Sequence, residues 1–403
     1  MTVLSKLPYA NQLRTIKYFI KTFGLGIEQA SLLVYYLREK LVCEQDDELH
    51  LKAAMEWLLH AQSICNGQGV SNVFSLINGW GTAYPETSGY IISTYLDYAK
   101  ITNNKLYYEN AIQLGDWEIE IQSPDGGVLS SPEVTYTRVF NTGQVMLGWC
   151  DLYEQTGEVK YLQAAIRSGN YLQNEQESDG AWRKNTYCGA RTYHARVDWA
   201  LLRLFKLTKD TEYKNIAHKN LHWVLEQQHE NGWFSNCGFH DDDPITHVIV
   251  YTLRGLLESS QLSNEIDILP AVIKSADMLC DSLKNQYING VKGMVPTSFN
   301  KKWKSDDQDS CLTGNAQLAC FLYRLAHITN DNKYRRIADE IISATKQTQL
   351  IDTTLIDIKG AIAGTYPLSH GYVRNGYPNW AAKFFADALL MKSNFDKKMV
   401  IPA

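Results

Sequence analysis

Side chains able to do chemistry gather in six clusters along this 403-residue chain, each just ahead of an apolar run. The first holds Trp80 and Tyr84-Pro85-Glu86, the second Arg138 and Asn141, and the third Tyr187, Tyr193, His194, Arg196 and Asp198. The fourth holds Trp233, His240, Asp241, Asp242, Asp243 and His247, the fifth Asp309 and Asn315, and the last His370, Tyr372, Tyr377 and Asn379. Tyrosine and tryptophan pair a flat apolar face with a polar handle. Interleaved with Arg, Asn, Asp and His, they suit a sugar ring and its hydroxyls. They equally suit caps and plugs at helix ends, so each residue carries a structural reading beside the functional one.

Within this set the candidate catalytic residues are Glu86, Tyr193, His194, Asp242 and Tyr372. Glu86 follows Tyr84-Pro85 in what reads as the first turn of a helix, where the dipole favours a carboxylate. It is either a cap or a general acid–base group. A tyrosine or histidine would take a proton from a sugar carbon, and Asp198, four residues after His194, would orient that imidazole. Asp242 sits in an acidic run that serves as a substrate-facing acid or as a cap. The candidate substrate-binding residues are Trp80, Tyr84, Arg138, Asn141, Tyr187, Arg196, Asp198, Trp233, His240, Asp243, His247, Asp309, Asn315, His370, Tyr377 and Asn379. Arg138, Arg183, Arg191, Arg196 and Arg374 together would make their surroundings positive, which suits a carboxylate-bearing ligand.

Other chemistries find little support. The segment from Cys237 to His247 fits no zinc spacing. Neither a GxGxxG fingerprint nor a Walker loop occurs, so no metal and no cofactor is expected. A Gly-x-Ser-x-Gly elbow is absent as well.

The clusters need elements that bring them together, and a repeat supplies these. Asn66-Gly67, Asp125-Gly126, Asp179-Gly180, Asn231-Gly232 and Asn289-Gly290 recur at steps of 59, 54, 52 and 58 residues, with Lys359-Gly360 as a weaker echo. Such periods mark a repeat architecture. Between the turns, amphipathic runs opened by Tyr107, Tyr161, Tyr213 and Tyr334 alternate with runs apolar nearly all round, near 84–100, 138–155, 193–207, 246–260, 311–328 and 377–391. This alternation predicts an all-α fold, an (α/α)6 toroid over 46–395, with a helical extension over 1–45 packed on it. The second set would form the inner ring, its N-termini gathered at one mouth with the long loops, and short turns at a chemically quiet opposite end. Free N–H groups and helix dipoles at that mouth favour negative charge.

A net charge of −5 without a basic block disfavours nucleic acid. The eight cysteines form no CxxC pair, which suits reduced thiols and a cytoplasmic location. No stretch approaches the roughly 20 apolar residues of a membrane span. Residues 13–27 alternate basic and apolar side chains. They fit a helix packed on the barrel, or less well one lying on a membrane surface.

Tyr84-Pro85-Glu86-Thr87-Ser88-Gly89-Tyr90, Arg138-Val139-Phe140-Asn141-Thr142-Gly143-Gln144, Cys311-Leu312-Thr313-Gly314-Asn315-Ala316-Gln317 and Tyr377-Pro378-Asn379-Trp380 resemble segments of a bacterial family of helical toroids. Those proteins are encoded among polysaccharide-biosynthesis genes. More distantly the chain resembles the helical domain of D-glucuronyl C5-epimerases, and polysaccharide lyases and unsaturated-glucuronyl hydrolases. The resemblance implies an enzyme acting on an acidic oligosaccharide or polysaccharide by proton abstraction at C5 of a uronate, as epimerase or lyase. The residues leave two alternatives open: a glycoside hydrolase with paired carboxylates, and a glycan-binding protein without catalysis.

Overall fold

The computed structural model describes residues 41–42, 45–240 and 243–397. Among them twelve α-helices follow one another as six pairs. They are α1 (Asp47–Ile64) and α2 (Pro85–Thr102), α3 (Lys105–Glu120) and α4 (Val139–Thr156), α5 (Val159–Glu175) and α6 (Ala195–Thr208). The second half comprises α7 (Thr211–Glu226) and α8 (Thr246–Leu262), α9 (Leu269–Ser282) and α10 (Leu312–Thr329), α11 (Asn332–Lys346) and α12 (Asn379–Asp396). Each even-numbered helix packs on the next, α12 returns to α2, and α1 packs on α12 as its outer partner. This is the expected (α/α)6 toroid, with inner helices starting within two residues of the expected positions. The N-terminal extension and the 13–27 stretch fall outside the described residues except at 41–42 and 45. No helix of the described residues is long and apolar enough to cross a membrane.

Four of the five inner-to-outer connections are two-residue turns whose first residue adopts a left-handed conformation, as at Asn103 (φ 52°), Gly157 (φ 71°) and Asn330 (φ 55°), while residues 263–268 join α8 to α9. The tyrosines that open three of the outer helices, α5, α7 and α11, each lean on the preceding outer helix. Tyr161 donates to Asp116 at 2.9 Å, Tyr213 to Asn170 at 3.0 Å and Tyr334 to Asp277 at 2.7 Å. The repeating Asp-Gly turns do similar work at the mouth. A Cβ on Gly126 would sit 2.2 Å from the Arg167 carbonyl of α5, and one on Gly180 2.5 Å from that of Lys219 in α7. The amide-rich segment ahead of each turn completes the seam: Gln122 Nε2 donates to the carbonyls of Gly126 (3.0 Å) and Ala164 (3.1 Å), and Gln176 Nε2 to those of Gly180 (3.0 Å) and Ile216 (2.8 Å). In the fifth repeat the wedge is Gly293 against Glu340, three residues after the Asn-Gly pair.

Inside the ring, close approach needs small residues. A Cβ on Gly148 would lie 2.3 Å from the Gly89 carbonyl, so α2 and α4 touch backbone to backbone. Neither backbone can withdraw without disturbing its other neighbours. Gly148→Ala should therefore lower the urea unfolding free energy by about 1–3 kcal/mol or more, although alanine is the better helix former.

Long loops precede every inner helix, and short antiparallel strand pairs stiffen several of them. Residues Val73–Ser75 pair with both Gly79–Trp80 and Gly376–Pro378, so the first loop is stitched to the last.

Candidate active site

The first turns of the inner helices hold these loops in place, and that accounts for several candidate residues. Ser88 Oγ accepts from Val70 N–H at 2.9 Å, Thr142 Oγ1 from Val128 N–H at 2.9 Å, and Asn315 Oδ1 from Val295 N–H at 3.1 Å. Asn379 donates to the Ser71 carbonyl at 3.0 Å and to Thr87 Oγ1 at 2.8 Å. Asn315 and Asn379 are thus spent on loop anchoring. Trp80 is packed on Trp57 and His60 and donates to Asp357 at 2.8 Å, while Tyr377 is buried against Phe74.

Above the ring, a cavity of about 360 Å³ opens at the mouth. Tyr84, Glu86, Tyr187, His240, His247 and Tyr372 line it, all named from the sequence as candidates. Aromatic walls come also from Tyr90, Phe140, Phe239, Tyr251 and Trp380, with Cys188 beside them. Tyr251 was legible in principle, since it follows His247 by one helical turn on α8. Phe140 and Phe239 carry no chemical signature that would distinguish them from core.

Glu86 is the chemical centre of this cavity. It is 7% exposed and accepts from Tyr84 at 3.0 Å and Tyr187 at 3.3 Å. The two phenol oxygens stand 2.5 Å apart, and Tyr187 also reaches Asn141 Oδ1 at 2.9 Å. These four short contacts draw on two phenolic hydrogens. A protonated Glu86 supplies a third. Burial pushes the carboxyl up from 4.5 to about 7, against the opposing pull of the tyrosine hydrogen bonds and of Arg196. Desolvation outweighs the helix dipole here because full burial is worth several pH units, whereas a dipole is typically worth 0.3–1 kcal/mol. Since Tyr84 favours the ionised form, Tyr84→Phe should raise the Glu86 pKa further, by roughly half a unit to one unit. Carboxyl NMR chemical shifts across a pH titration would measure it.

The groups cast as bases are poor ones. Burial lifts the Tyr84 and Tyr372 hydroxyls well above the ordinary phenol range, with Glu86 adding to the effect in both. Burial also lowers His247 to about 3, so it is neutral and weakly basic. Tyr193 is fully buried behind the cavity wall, edge-on to Phe140 and Phe239. His194 packs edge-on to Trp182 and Tyr193 and is lowered to about 3 by burial. The expected His194–Asp198 hydrogen bond is not formed: both side chains are buried, with no hydrogen-bond partner on any ring nitrogen or carboxylate oxygen. Burial accordingly raises Asp198 well above the carboxylate range.

Of the five arginines expected to make the mouth positive, only Arg196 acts on Glu86. Arg183 is turned outward onto Glu177 and Asp179, Arg374 is exposed, and Arg191 holds the Cys188 carbonyl. Arg138 lies over the rings of Tyr136 and Tyr187. Trp233 and Asp243 line an adjoining groove that shares His240 with the cavity. Asp242, with Asp241, lies outside the described residues. Asp309 abuts Gly371, and His370 is exposed beside Ser369.

The end with short turns is not chemically quiet, and the inner helices are not apolar all round. A second, smaller cavity of about 60 Å³ lies on the toroid axis below the mouth, lined from all six inner helices and sharing Tyr90 with the first. Asp97, Asp151, Arg203, Arg254, Lys383 and Asp387 face it. The cations are tolerated there because they are paired, across helices at Arg203 and within one helix at Arg254 and Lys383. Arg203 meets Asp151 and Glu154 at 2.7 Å, Arg254 meets Glu258 at 2.7 Å, and Lys383 pairs with Asp387.

The toroid places the chain in a fold class, and comparison with known proteins adds detail. A family model of the β-L-arabinofuranosidase GH127 catalytic domain matches residues 86–267, from Glu86 through the third and fourth loops. No curated protein matches the sequence. Among solved structures, an unsaturated glucuronyl hydrolase specific for heparin shares 13% identity, with a TM-score of 0.70 over 89% of this chain and 100% of that one. A D-mannose isomerase shares 13% (TM-score 0.68, 86% and 97% covered). A cellobiose 2-epimerase from Bacillus thermoamylovorans shares 10% (TM-score 0.67, 85% and 98% covered).

Proposed function

We propose that the chain is a carbohydrate-active enzyme that cleaves a glycosidic bond, with Glu86 as general acid. One observation carries this reading: a single buried carboxyl, protonated near neutrality and held by two tyrosines, stands in an aromatic cavity of sugar-ring size. Glu86 would give its proton to the glycosidic oxygen as the bond to the anomeric carbon breaks, and water would add to that carbon. The match to the arabinofuranosidase catalytic domain supports the hydrolytic reading, and the titration of the cavity supports it independently. The cavity holds an acid but no strong base, whereas carbon-proton abstraction needs a base first. Asp243, in the groove beyond His240, is the carboxylate we assign to activating the water.

A second reading, epimerase or lyase at C5 of a uronate, is favoured by one fact: Glu86 is the one carboxylate among the described residues lining the cavity. Hydrolases of this kind call for two. Incubating the protein with a panel of glycosides in deuterated water separates the two readings. New reducing ends without carbon-bound deuterium are expected. Deuterium at C5 without cleavage, or an unsaturated product, would overturn the hydrolase in favour of the second reading.

A further inference from the structure

Burying a cation without a counter-charge is costly, and a fold that does so usually reserves the cation for a ligand. The paired cations of the axial cavity, Arg203, Arg254 and Lys383, show how this toroid ordinarily treats the problem. Arg196 is different. It is 4% exposed, and its guanidinium lies 5.0 Å from the ring centre of Tyr251 and 5.2 Å from that of Trp199. Its Nε donates to the neutral Gln144 amide at 2.7 Å, and among the described residues no carboxylate comes within ion-pair distance. Glu86 influences it only from farther off.

A second donor points the same way. Trp199, 7% exposed, lines the same axial cavity as Arg196, and its indole N–H has no acceptor. A buried cation without a counter-charge and a buried N–H without an acceptor thus border one small space. Tyr90 forms a wall of both this space and the mouth. A cavity of about 60 Å³ accepts a carboxylate but not a sugar ring, while the 360 Å³ mouth has room for the ring.

We propose that Arg196 and Trp199 form an anion pocket at the foot of the mouth, and that it takes the carboxylate of an acidic saccharide whose ring lies beside Glu86. This rests on the reading of the mouth as a saccharide site. It replaces the ring of five arginines expected from the sequence with one buried arginine. It also gives the anion a chemical part to play. By neutralising Arg196, the bound carboxylate removes a charge that favours ionised Glu86, so the acid keeps its proton better with acidic substrate than without.

The test uses the full chain carrying Glu86→Gln, which blocks turnover, and calorimetric titration with D-glucuronate, its neutral methyl ester and inorganic sulfate. Glucuronate should bind at least about tenfold more tightly than the ester. Adding Arg196→Gln should erase that preference while leaving ester binding in place. The melting temperature of Arg196→Gln should not fall, whereas loss of a paired buried cation would lower it. Sulfate competing with glucuronate but not with the ester would mark a general oxyanion pocket and would support the site. Equal affinity of the parent protein for acid and ester would overturn the proposal, and needs no Arg196 variant to be read. A selective pocket in a protein that cleaves no glycoside would instead leave the pocket standing and sink the hydrolase.

Discussion

Glu86→Gln should reduce turnover by about 10²–10⁴-fold while leaving saccharide binding measurable. Glutamine keeps the shape of the side chain and can still accept from Tyr84 and Tyr187, but it cannot give up a proton. The pH dependence then identifies the direction of proton flow. With Glu86 near 7 and acting as an acid, kcat/KM should fall as pH rises through about 7. If Glu86 were instead the base that abstracts a carbon proton, the same profile would rise through that range. A pH–rate series on the active substrate decides between them, and a profile flat across pH 6–8 would remove Glu86 from the chemistry.

The same substitution has a stability signature of predictable sign. The Glu86 carboxyl binds its proton more tightly in the folded chain, at about 7, than in the unfolded one, at 4.5. Below 4.5 both states are protonated and there is no penalty. Between 4.5 and 7 folding stability falls as pH rises, and above 7 the full cost of about 3 kcal/mol stands. Asp97, raised to about 7 chiefly by burial with Asp151 and Asp387 adding, steepens the fall over the same window. Glu86→Gln should flatten part of that slope and, above pH 7, leave a protein more stable than the parent. Chemical denaturation at pH 5 and pH 8 would show the crossover.

The largest loss of stability should come from the other end of the ring, at Glu258→Ala. Glu258 is 1% exposed and binds two arginines from adjacent inner helices, Arg254 at 2.7 Å and Arg324 at 3.0 Å. Removing it takes the carboxylate away from the buried guanidinium of Arg254 and the partly buried one of Arg324. A loss of about 3–5 kcal/mol follows, read as a lower urea midpoint with an unchanged slope. Glu258→Gln, which keeps the packing but not the charge, should recover only a minor part of it. If alanine were tolerated with less than about 1 kcal/mol lost, the pairing would not be what reconciles these charges with burial.

How much of this was written in the chain can be judged residue by residue. The Asn/Asp-Gly turns, the helix-opening tyrosines and the alternation of one-sided with all-round apolar runs determined the six helix pairs, the inner ring and the mouth. They could do so because turn chemistry and helical periodicity are local properties, read over a handful of neighbours. Glu86, Tyr84 and Tyr187 could be named for the same reason, as chemically marked residues at an inner-helix start or in a long loop. What each would do there was not local. Trp80 and Asn379 look as functional as Tyr187 in sequence, yet two are spent on packing and loop anchoring, because the ring brings Asp357 to one and Ser71 to the other. The Glu86 pKa depends on how completely surrounding loops and helices exclude water, and the isolation of Arg196 on which inner helices happen to face it with carboxylates. Desolvation and charge pairing are sums over neighbours distant in the chain, so they exist only once the ring has closed. The sequence by itself determined a toroid and the end at which its loops collect. The tertiary structure alone decided that one carboxyl there keeps its proton and that one arginine beneath it goes without a counter-charge.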